Sequence, residues 1–94
     1  MKLKGKEYDV KRSTKPDKKL MVICNGKLIH FGQRGAKSWG NAPLASLLPE
    51  SEKHYDEDKR RRYLARATKI KKKDGTLAID DHCSPNWWSV YGLW

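Results

Sequence analysis

The stretch His54–Lys73, HYDEDKRRRYLARATKIKKK, predicts the main helix of this chain. Its acidic residues Asp56, Glu57 and Asp58 stand first, and its basic residues follow. A helix favours this order because the free N–H groups of its first turn are partly positive and the free carbonyls of its last turn are partly negative. Either Ser51 or Asp56 is placed to cap the start of the helix.

Helical periodicity divides this segment into an apolar face and a basic face. Asp74-Gly75 is the expected stop, because glycine takes the left-handed turn that follows a helix. The apolar face, which we expect to pack, consists of Tyr63, Leu64, Ala67 and Ile70. The basic face, which we expect to form a solvent-exposed ridge, carries Arg62, Arg66, Lys69 and Lys73.

Composition sets the size and the charge of the molecule. With 94 residues, the chain has room for a single domain, residues 1–94, with one modest core. Its 21 lysines and arginines against 11 acids give a formal charge of +10. Such a charge favours a polyanion such as nucleic acid, or an acidic protein surface, as the partner, although a basic surface that only aids solubility stays open.

The N-terminus and the cysteines bear on the cellular compartment. Residues 1–6 are basic but precede no apolar run, and nothing in the sequence approaches the ~20 apolar residues of a membrane span. We therefore expect no signal peptide, no secretion and no membrane. Cys24 and Cys83 are far apart, which argues against a disulfide framework and suits a reducing compartment. One bridge between them stays open but is not expected.

The clearest local pattern is a β-hairpin. The β-rich runs Leu20–Cys24 and Lys27–Phe31 are joined by Asn25-Gly26, a pair that favours the tight turn between antiparallel strands. A weaker alternation in residues 6–13 adds a third strand, in an N-terminal segment, residues 1–18, that we expect to attach loosely. We predict an α+β fold with a three-stranded antiparallel meander packed against the basic helix and a short C-terminal aromatic helix.

The predicted C-terminal helix begins where Ser84 can cap it and Pro85 can occupy its first turn. Its aromatic residues recur at helical spacing. Because a domain this small needs large rings for its core, we favour a core role over a stacking platform for bases. The residues concerned are Trp87, Trp88, Tyr91 and Trp94.

Two segments between the hairpin and the basic helix are ambiguous. Gly32, Gly35 and Gly40 do not match the spacing of a nucleotide-binding loop, so structural turns are favoured over a phosphate cradle. The apolar run Pro43–Pro49 can plug an edge of the sheet or form an exposed hook for a partner, and we favour the plug.

No motif for catalysis is recognisable in the sequence. The candidate groups are three histidines, two cysteines and Asp80-Asp81, and they lack the spacing of a catalytic or a structural zinc motif. A metal site built from distant segments stays open. Asp56–Asp58 could bind Mg²⁺, but acids at a helix start already have a structural role. We therefore expect no enzymatic activity, no catalytic residue, no metal and no cofactor.

A further pattern combines a glycine turn, the spacing of the basic helix and a tryptophan-rich ending. It consists of Phe31-Gly32, Gly35, His54, Asp56, Lys59, Arg60, Tyr63, Arg66, Trp88-Ser89 and Leu93-Trp94. This pattern resembles a family of small proteins of unknown function from giant DNA viruses and large tailed phages. The resemblance spans residues 20–94, leaves the N-terminal strand outside and makes residues 40–53 an insertion. It implies a viral origin and no established activity.

Charge and resemblance together predict a non-enzymatic viral protein that binds nucleic acid, DNA rather than RNA, through its phosphates. It would be a minor component of the virion or act in the host cytoplasm. The candidate binding residues are Lys59, Arg61, Arg62, Arg66, Lys69, Lys72, Lys73, Arg34 and Lys37.

The alternative is a protein-interaction module. It would be a capsid cement protein, in contact with capsid proteins, or an early phage protein that binds and inhibits an acidic host enzyme. Large apolar side chains would then anchor the partner. The candidate contacts are Trp39, Leu44, Leu47 and Trp87.

Overall fold

A three-stranded antiparallel sheet, of order β3-β4-β5, forms the centre of the structure, a computed structural model that describes residues 2–94. Two-stranded pairs, β1 with β2 and β6 with β7, flank it. The strands are β1 Lys2–Leu3, β2 Lys6–Glu7, β3 Val10–Arg12, β4 Lys18–Cys24, β5 Lys27–Gln33, β6 Ser38–Trp39 and β7 Lys53–His54. The helices are α1 Glu57–Ala67 and α2 Pro85–Trp88. The predicted α+β class is confirmed.

The β4–β5 hairpin forms where it was predicted. Asn25 and Gly26 make its turn with φ angles of 51° and 78°, the positive values that this connection requires. The register places Val22 opposite Ile29 and Leu20 opposite Phe31. One face of the hairpin is therefore apolar and buried.

The N-terminal segment is integrated into the fold, which corrects the expectation of a loosely attached arm. β3 pairs with β4, with Val10 opposite Val22. Leu3 and Val10 are both buried in the core. Because burying apolar side chains is the main stabilising term of a small domain, this segment contributes to folding.

The C-terminal segment covers the apolar face of the sheet. Trp88 is 0% exposed, and its ring lies 5.6 Å from the ring of Phe31. As predicted, the Ser84 hydroxyl caps α2 by accepting a hydrogen bond from the Trp87 N–H at 3.1 Å. The chain continues beyond α2 in a π-helical turn, Ser89–Leu93, whose Leu93 is also buried. The core role of the C-terminal helix is confirmed for Trp88.

The basic helix is shorter than predicted. Asp56 caps α1, since its carboxylate accepts from the N–H groups of Asp58 and Lys59 at 3.0 and 3.2 Å. The helix ends at Ala67, not at Asp74-Gly75. Residues 70–78 instead fold back on themselves, with hydrogen bonds from Lys72 N–H to the Thr76 carbonyl and from Ala78 N–H to the Ile70 carbonyl. These bonds satisfy backbone groups that a longer helix would have used.

α1 packs on the C-terminal segment. The ring of Tyr63 stacks on that of Trp94 at 4.0 Å, and the Asn86 side chain donates to the carbonyl of Ala67 at 3.1 Å. Ala67 is buried as expected, but Ile70 lies beyond the helix and is 47% exposed. The predicted packing face is therefore one residue too long.

The segment 40–53 contributes four buried side chains to the domain, those of Ala42, Leu44, Ala45 and Leu48, so it is not a wholly peripheral loop. The Leu44 N–H donates to the Gly92 carbonyl at 2.9 Å, and Leu44 is 0% exposed. This confirms the plug and rules Leu44 out as a partner contact, while Leu47 is half-buried against the core. The two ends of the segment meet in the parallel pair β6–β7, which brings Trp39 beside His54.

A disulfide joins Cys24, at the end of β4, to Cys83, just before α2. The bridge, which the sequence left open but did not favour, is present. Their Cα atoms lie 5.6 Å apart although 59 positions separate them in sequence. Packing of the C-terminal segment on the hairpin creates this proximity, so sequence spacing could not reveal it.

Candidate nucleic-acid interface

A cleft of about 700 Å³ lies between α1 and the end of the hairpin, and its floor is formed by the C-terminal segment. We call it the basic cleft. It is lined by Lys18, Lys19, Phe31, Gly32, Gln33, Gly35, Ala36, Lys37, Ser38, Lys59, Arg62, Tyr63, Arg66, Pro85, Asn86, Ser89 and Trp94.

The charge of the basic cleft has one sign. Six of its lining residues are lysine or arginine and none is acidic. Lys59, Arg62 and Arg66 project from one side of α1, because positions three and four apart share a helix face. Lys18 and Lys37 belong to the opposite wall. Across residues 2–94, none of these five side chains forms an ion pair with a carboxylate.

The sixth base, Lys19, is buried and was not among the predicted binding residues. It is 1% exposed, and its ammonium group donates to the Ala36 carbonyl and to the Ser38 hydroxyl. Burial lowers the pKa of Lys19, and the charge of Glu52 acts in the opposite direction. Strand alternation gives no signal for this burial, because Lys19 is out of phase with the core residues Leu20 and Val22.

Gly32 makes room for this lysine. The φ angle of Gly32 is +76°, and a Cβ atom there would lie 3.2 Å from Lys19 Cβ and 2.6 Å from Leu93 Cδ1. Only glycine allows both side chains to approach the backbone of β5 so closely. The predicted role of this glycine as a structural position is confirmed, although it lies inside a strand.

Aromatic rings join α1 to the C-terminal segment at the floor of the basic cleft. Trp94 stacks on Tyr63 and lies 4.9 Å from the ring of His54. The Arg66 guanidinium lies 5.8 Å from the Tyr63 ring, and the Arg60 guanidinium lies 5.4 Å from the ring of Trp39. Both Trp94 and Tyr63 therefore have ring or cation contacts within the chain.

His54 links this aromatic group to the start of α1. Its Nδ1 accepts from the Asp56 N–H at 3.2 Å, and its ring lies 5.9 Å from that of Trp39. Burial lowers the pKa of His54, and the positive charge of Lys59 lowers it further. The lowered pKa favours the neutral imidazole, the form in which Nδ1 can accept this hydrogen bond.

Several residues predicted to bind a polyanion lie outside the basic cleft. Arg61 pairs with Asp58, and Lys72 pairs with Asp81 at 3.0 Å. The Lys72–Asp81 hydrogen bond raises the pKa of Lys72 and lowers that of Asp81. Arg34 donates hydrogen bonds to the carbonyl of Lys18 and, at 3.1 Å, to that of Ser13. Its side chain therefore stabilises the open end of the β4–β5 hairpin. The role of Arg61, Lys72 and Arg34 in binding a polyanion stays a prediction, but all three side chains have partners within the chain.

The remaining predicted residues also lie elsewhere. Lys69 and Lys73 follow the end of α1 and do not line the basic cleft. Trp39 is half-buried under Arg60, and Trp87 is half-buried with its ring 4.6 Å from that of His82. Both tryptophans therefore have partners within the chain.

One further group was missed. The side chains of Cys24, His82 and Cys83 meet beside the turn of the hairpin, at the opposite end from the basic cleft, with their ligand atoms all within 4.8 Å of one another. We call it the Cys–His cluster. In the sequence, His82 and Cys83 are adjacent and Cys24 comes from a distant strand, so the spacing of a zinc motif is absent and only the general possibility of a site from distant segments was left open.

The fold and the cleft define a small α+β domain with a groove lined by basic and not by acidic residues. A family described as "Family of unknown function (DUF5754)" matches residues 8–39, which supports the expected likeness to an uncharacterised domain family. The match includes β3, which the resemblance had left outside, and ends before α1. No curated protein and no solved structure was found to match the chain. In residues 2–94, no helix has the length and apolar character needed to cross a membrane.

Proposed function

We propose that this protein binds nucleic acid without enzymatic activity, and that phosphates of the backbone lie in the basic cleft. The observation that carries the proposal is the charge of that cleft, which is lined by six bases and no acid. Like charges gathered on low-dielectric walls focus the field and attract polyanions. Their mutual repulsion is offset when phosphates enter the cleft and release counterions.

The arrangement of the bases suits a chain of phosphates better than one small anion. Lys59 and Arg66 are seven positions apart in α1, so the helical rise separates them by about 10 Å along the axis. Lys18 and Lys37 face them across the cleft. A row of charges along both walls can follow a backbone, whereas a single phosphate could reach only a few of them.

The aromatic floor favours recognition of the backbone over recognition of bases. The Trp94 ring already packs against the ring of Tyr63 at 4.0 Å and that of His54 at 4.9 Å. These contacts leave less of the Trp94 ring for a base, and stacking is the usual source of affinity for bases in single-stranded complexes. We propose binding that tolerates any sequence, with DNA as the partner.

We extend the proposal to the origin of the protein on the basis of the resemblance alone. It would be a protein of a large DNA virus or phage, carried as a minor virion component or acting in the host cytoplasm. Several residues that carry the resemblance also line the basic cleft, which supports a shared role for this surface. They are Phe31, Gly32, Gly35, Lys59, Tyr63, Arg66, Ser89 and Trp94.

The experiment compares two double variants that remove the same charge. Arg62→Gln with Arg66→Gln changes the basic cleft, and Arg61→Gln with Lys72→Gln changes two bases that pair with acids outside it. Fluorescence anisotropy measures binding of a labelled oligo(dT) over a series of salt concentrations. We expect the cleft variant to bind roughly 10- to 100-fold more weakly at low salt and its salt slope to fall by about 1.4. The control should stay close to the parent protein.

Two further probes test the backbone interpretation. An abasic oligonucleotide of the same length should bind about as well as oligo(dT), whereas tighter binding of oligo(dT) by more than about tenfold would show that bases contribute. Poly-glutamate carries carboxylates without phosphates. Equal losses in both double variants, or binding of poly-glutamate equal to that of oligo(dT), would overturn the proposal and favour general charge attraction or an acidic protein partner.

A further inference from the structure

The Cys–His cluster has the composition of a metal site. Cys24 lies at the end of β4, and His82 and Cys83 lie in the turn before α2. Their two sulfur atoms and one imidazole nitrogen are all within 4.8 Å of one another. We propose that reduction of the Cys24–Cys83 disulfide creates a Zn²⁺ site in which both thiolates and His82 Nδ1 are ligands.

The ligand set favours zinc among the common divalent ions. Thiolate and imidazole bind Zn²⁺ well, whereas Mg²⁺ and Ca²⁺ prefer oxygen. The Nδ1 atom of His82 lies 3.9 Å from Cys24 Sγ. Ligand bonds of about 2.3 Å to sulfur and about 2.1 Å to nitrogen place such atoms roughly 3.6 Å apart in a tetrahedral site. The distance between Cys24 Sγ and His82 Nδ1 is therefore already close to the distance that two ligands of one Zn²⁺ require.

The surroundings of His82 already hold its ring in the orientation that a ligand needs. The Tyr8 hydroxyl lies 2.6 Å from His82 Nε2, on the ring atom opposite the one that faces the sulfur. Metal-binding histidines commonly use their second nitrogen in such a hydrogen bond, which fixes the tautomer and the ring orientation. The ring of Trp87 packs edge-on at 4.6 Å.

The turn that carries two of the ligands is also held by hydrogen bonds. The Cys83 N–H donates to the Asp81 carboxylate at 3.0 Å. Asp81 in turn pairs with Lys72. These contacts do not involve the disulfide, so they can hold the turn after reduction, when rotation of the half-buried Cys83 side chain separates the two sulfurs.

The proposed site forms in two steps, reduction of the disulfide and then binding of Zn²⁺. A dithiol reductant gives two electrons and two protons to the disulfide, and the reductant itself becomes a disulfide. Zn²⁺ then displaces the two thiol protons to solvent, so the site carries two thiolates and one neutral imidazole. Three protein ligands leave the fourth position of the tetrahedron to water. None of the three ligands lines the basic cleft, so the proposal does not depend on nucleic-acid binding.

The test uses the tag-free full chain, reduced with a phosphine, which does not itself supply thiols. Co²⁺ is added first as a spectroscopic probe, and Zn²⁺ then displaces it. We expect one Co²⁺ per chain, with a thiolate-to-cobalt charge-transfer band and the intense visible bands of a tetrahedral site. The oxidised protein serves as the matched control that needs no substitution, and it should show neither band. Equal spectra for the two forms, or no bands after reduction, would overturn the proposal.

Variants identify the ligands. His82→Gln should weaken Zn²⁺ binding by at least tenfold, and Tyr8→Phe should weaken it by about tenfold through loss of ring orientation. His30→Gln is the matched control, because His30 bonds the Ser13 hydroxyl at 2.6 Å and lies outside the cluster. Zn²⁺ affinity that is unchanged in His82→Gln would exclude this histidine and overturn the proposed ligand set.

Discussion

The basic cleft and the Cys–His cluster differ in how their residues come together. Lys59, Arg62 and Arg66 lie within eight positions of sequence, and the geometry of one helix places them side by side. Cys24 and Cys83 are 59 positions apart and meet only because the C-terminal segment packs on the hairpin. Local periodicity can therefore predict a charged surface, whereas a covalent or metal site between distant segments depends on the complete fold.

The two regions also differ in what they contribute to stability. The cleft bases on α1 are exposed and form no ion pairs with the acids of residues 2–94, so folding gains little from their charge. The disulfide constrains a long stretch of chain, and one of its cysteines is buried in the core. Substitutions in the cleft should alter binding, and substitutions in the cluster should alter folding.

The largest expected effect is the loss of the disulfide. Closing a loop of 59 residues contributes about 4 kcal/mol in the chain-entropy account. The double change Cys24→Ala with Cys83→Ala should lower the free energy of unfolding by about that amount, as measured by urea titration with a chelator present. The cleft variant Arg62→Gln should change it by less than about 0.5 kcal/mol. Similar urea midpoints for the cysteine variant and the parent would show that the bridge is not a structural element.

An intermediate effect is expected at Gly32, where the cleft meets the core. Gly32→Ala should cost about 1 kcal/mol for the positive φ angle and about 2 kcal/mol more for crowding against Lys19 and Leu93. Gly26→Ala is the matched control, since its φ of +78° is nearly the same but a Cβ there has no neighbour within 4 Å. It should therefore cost only about 1 kcal/mol in thermal or urea unfolding. Equal losses in the two variants would mean that Leu93 moves aside freely.

The smallest expected effect is a pH dependence at His54. Its folded-state pKa is lowered by burial below the ordinary value of 6.5, so the unfolded chain binds a proton more readily than the folded chain does. The stabilising contribution is present above pH 6.5 and declines as the pH falls towards the folded-state pKa. The parent should lose more stability than His54→Phe between about pH 7.5 and about pH 5.5 in urea titrations. Parallel losses in the two proteins would exclude this histidine as the cause.

Much of the fold was predictable where the controlling interactions are local. The Asn25-Gly26 turn, the Asp56 cap and the Ser84 cap all form as the residues indicate, because each depends on hydrogen bonds between near neighbours. The end of α1 was not predictable. The basic run beyond Ala67 is compatible with a helix, but the fold-back of residues 70–78 offers its backbone other partners.

Within the candidate site, too, the residues on one helix were predictable and the residue that depends on tertiary contacts was not. The helix wall of the cleft, with Lys59, Arg62 and Arg66, was among the predicted binding residues. Lys19 was not, because a lysine beside inward-facing residues is expected to point to solvent. Its burial depends on Gly32, whose missing side chain leaves space opposite it. No property of the two residues taken separately reveals that pairing.

The amino-acid sequence by itself determined the positive charge of this protein, the hairpin, the helix starts and the side of α1 that carries the bases. Those features follow from composition and from contacts between residues close in the chain. The tertiary structure alone decided that α1 faces the open end of the hairpin across a cleft, that Trp94 contacts both Tyr63 and His54, and that Cys24 meets His82 and Cys83. These arrangements arise when apolar surfaces distant in sequence are buried together, and that burial depends on the whole chain.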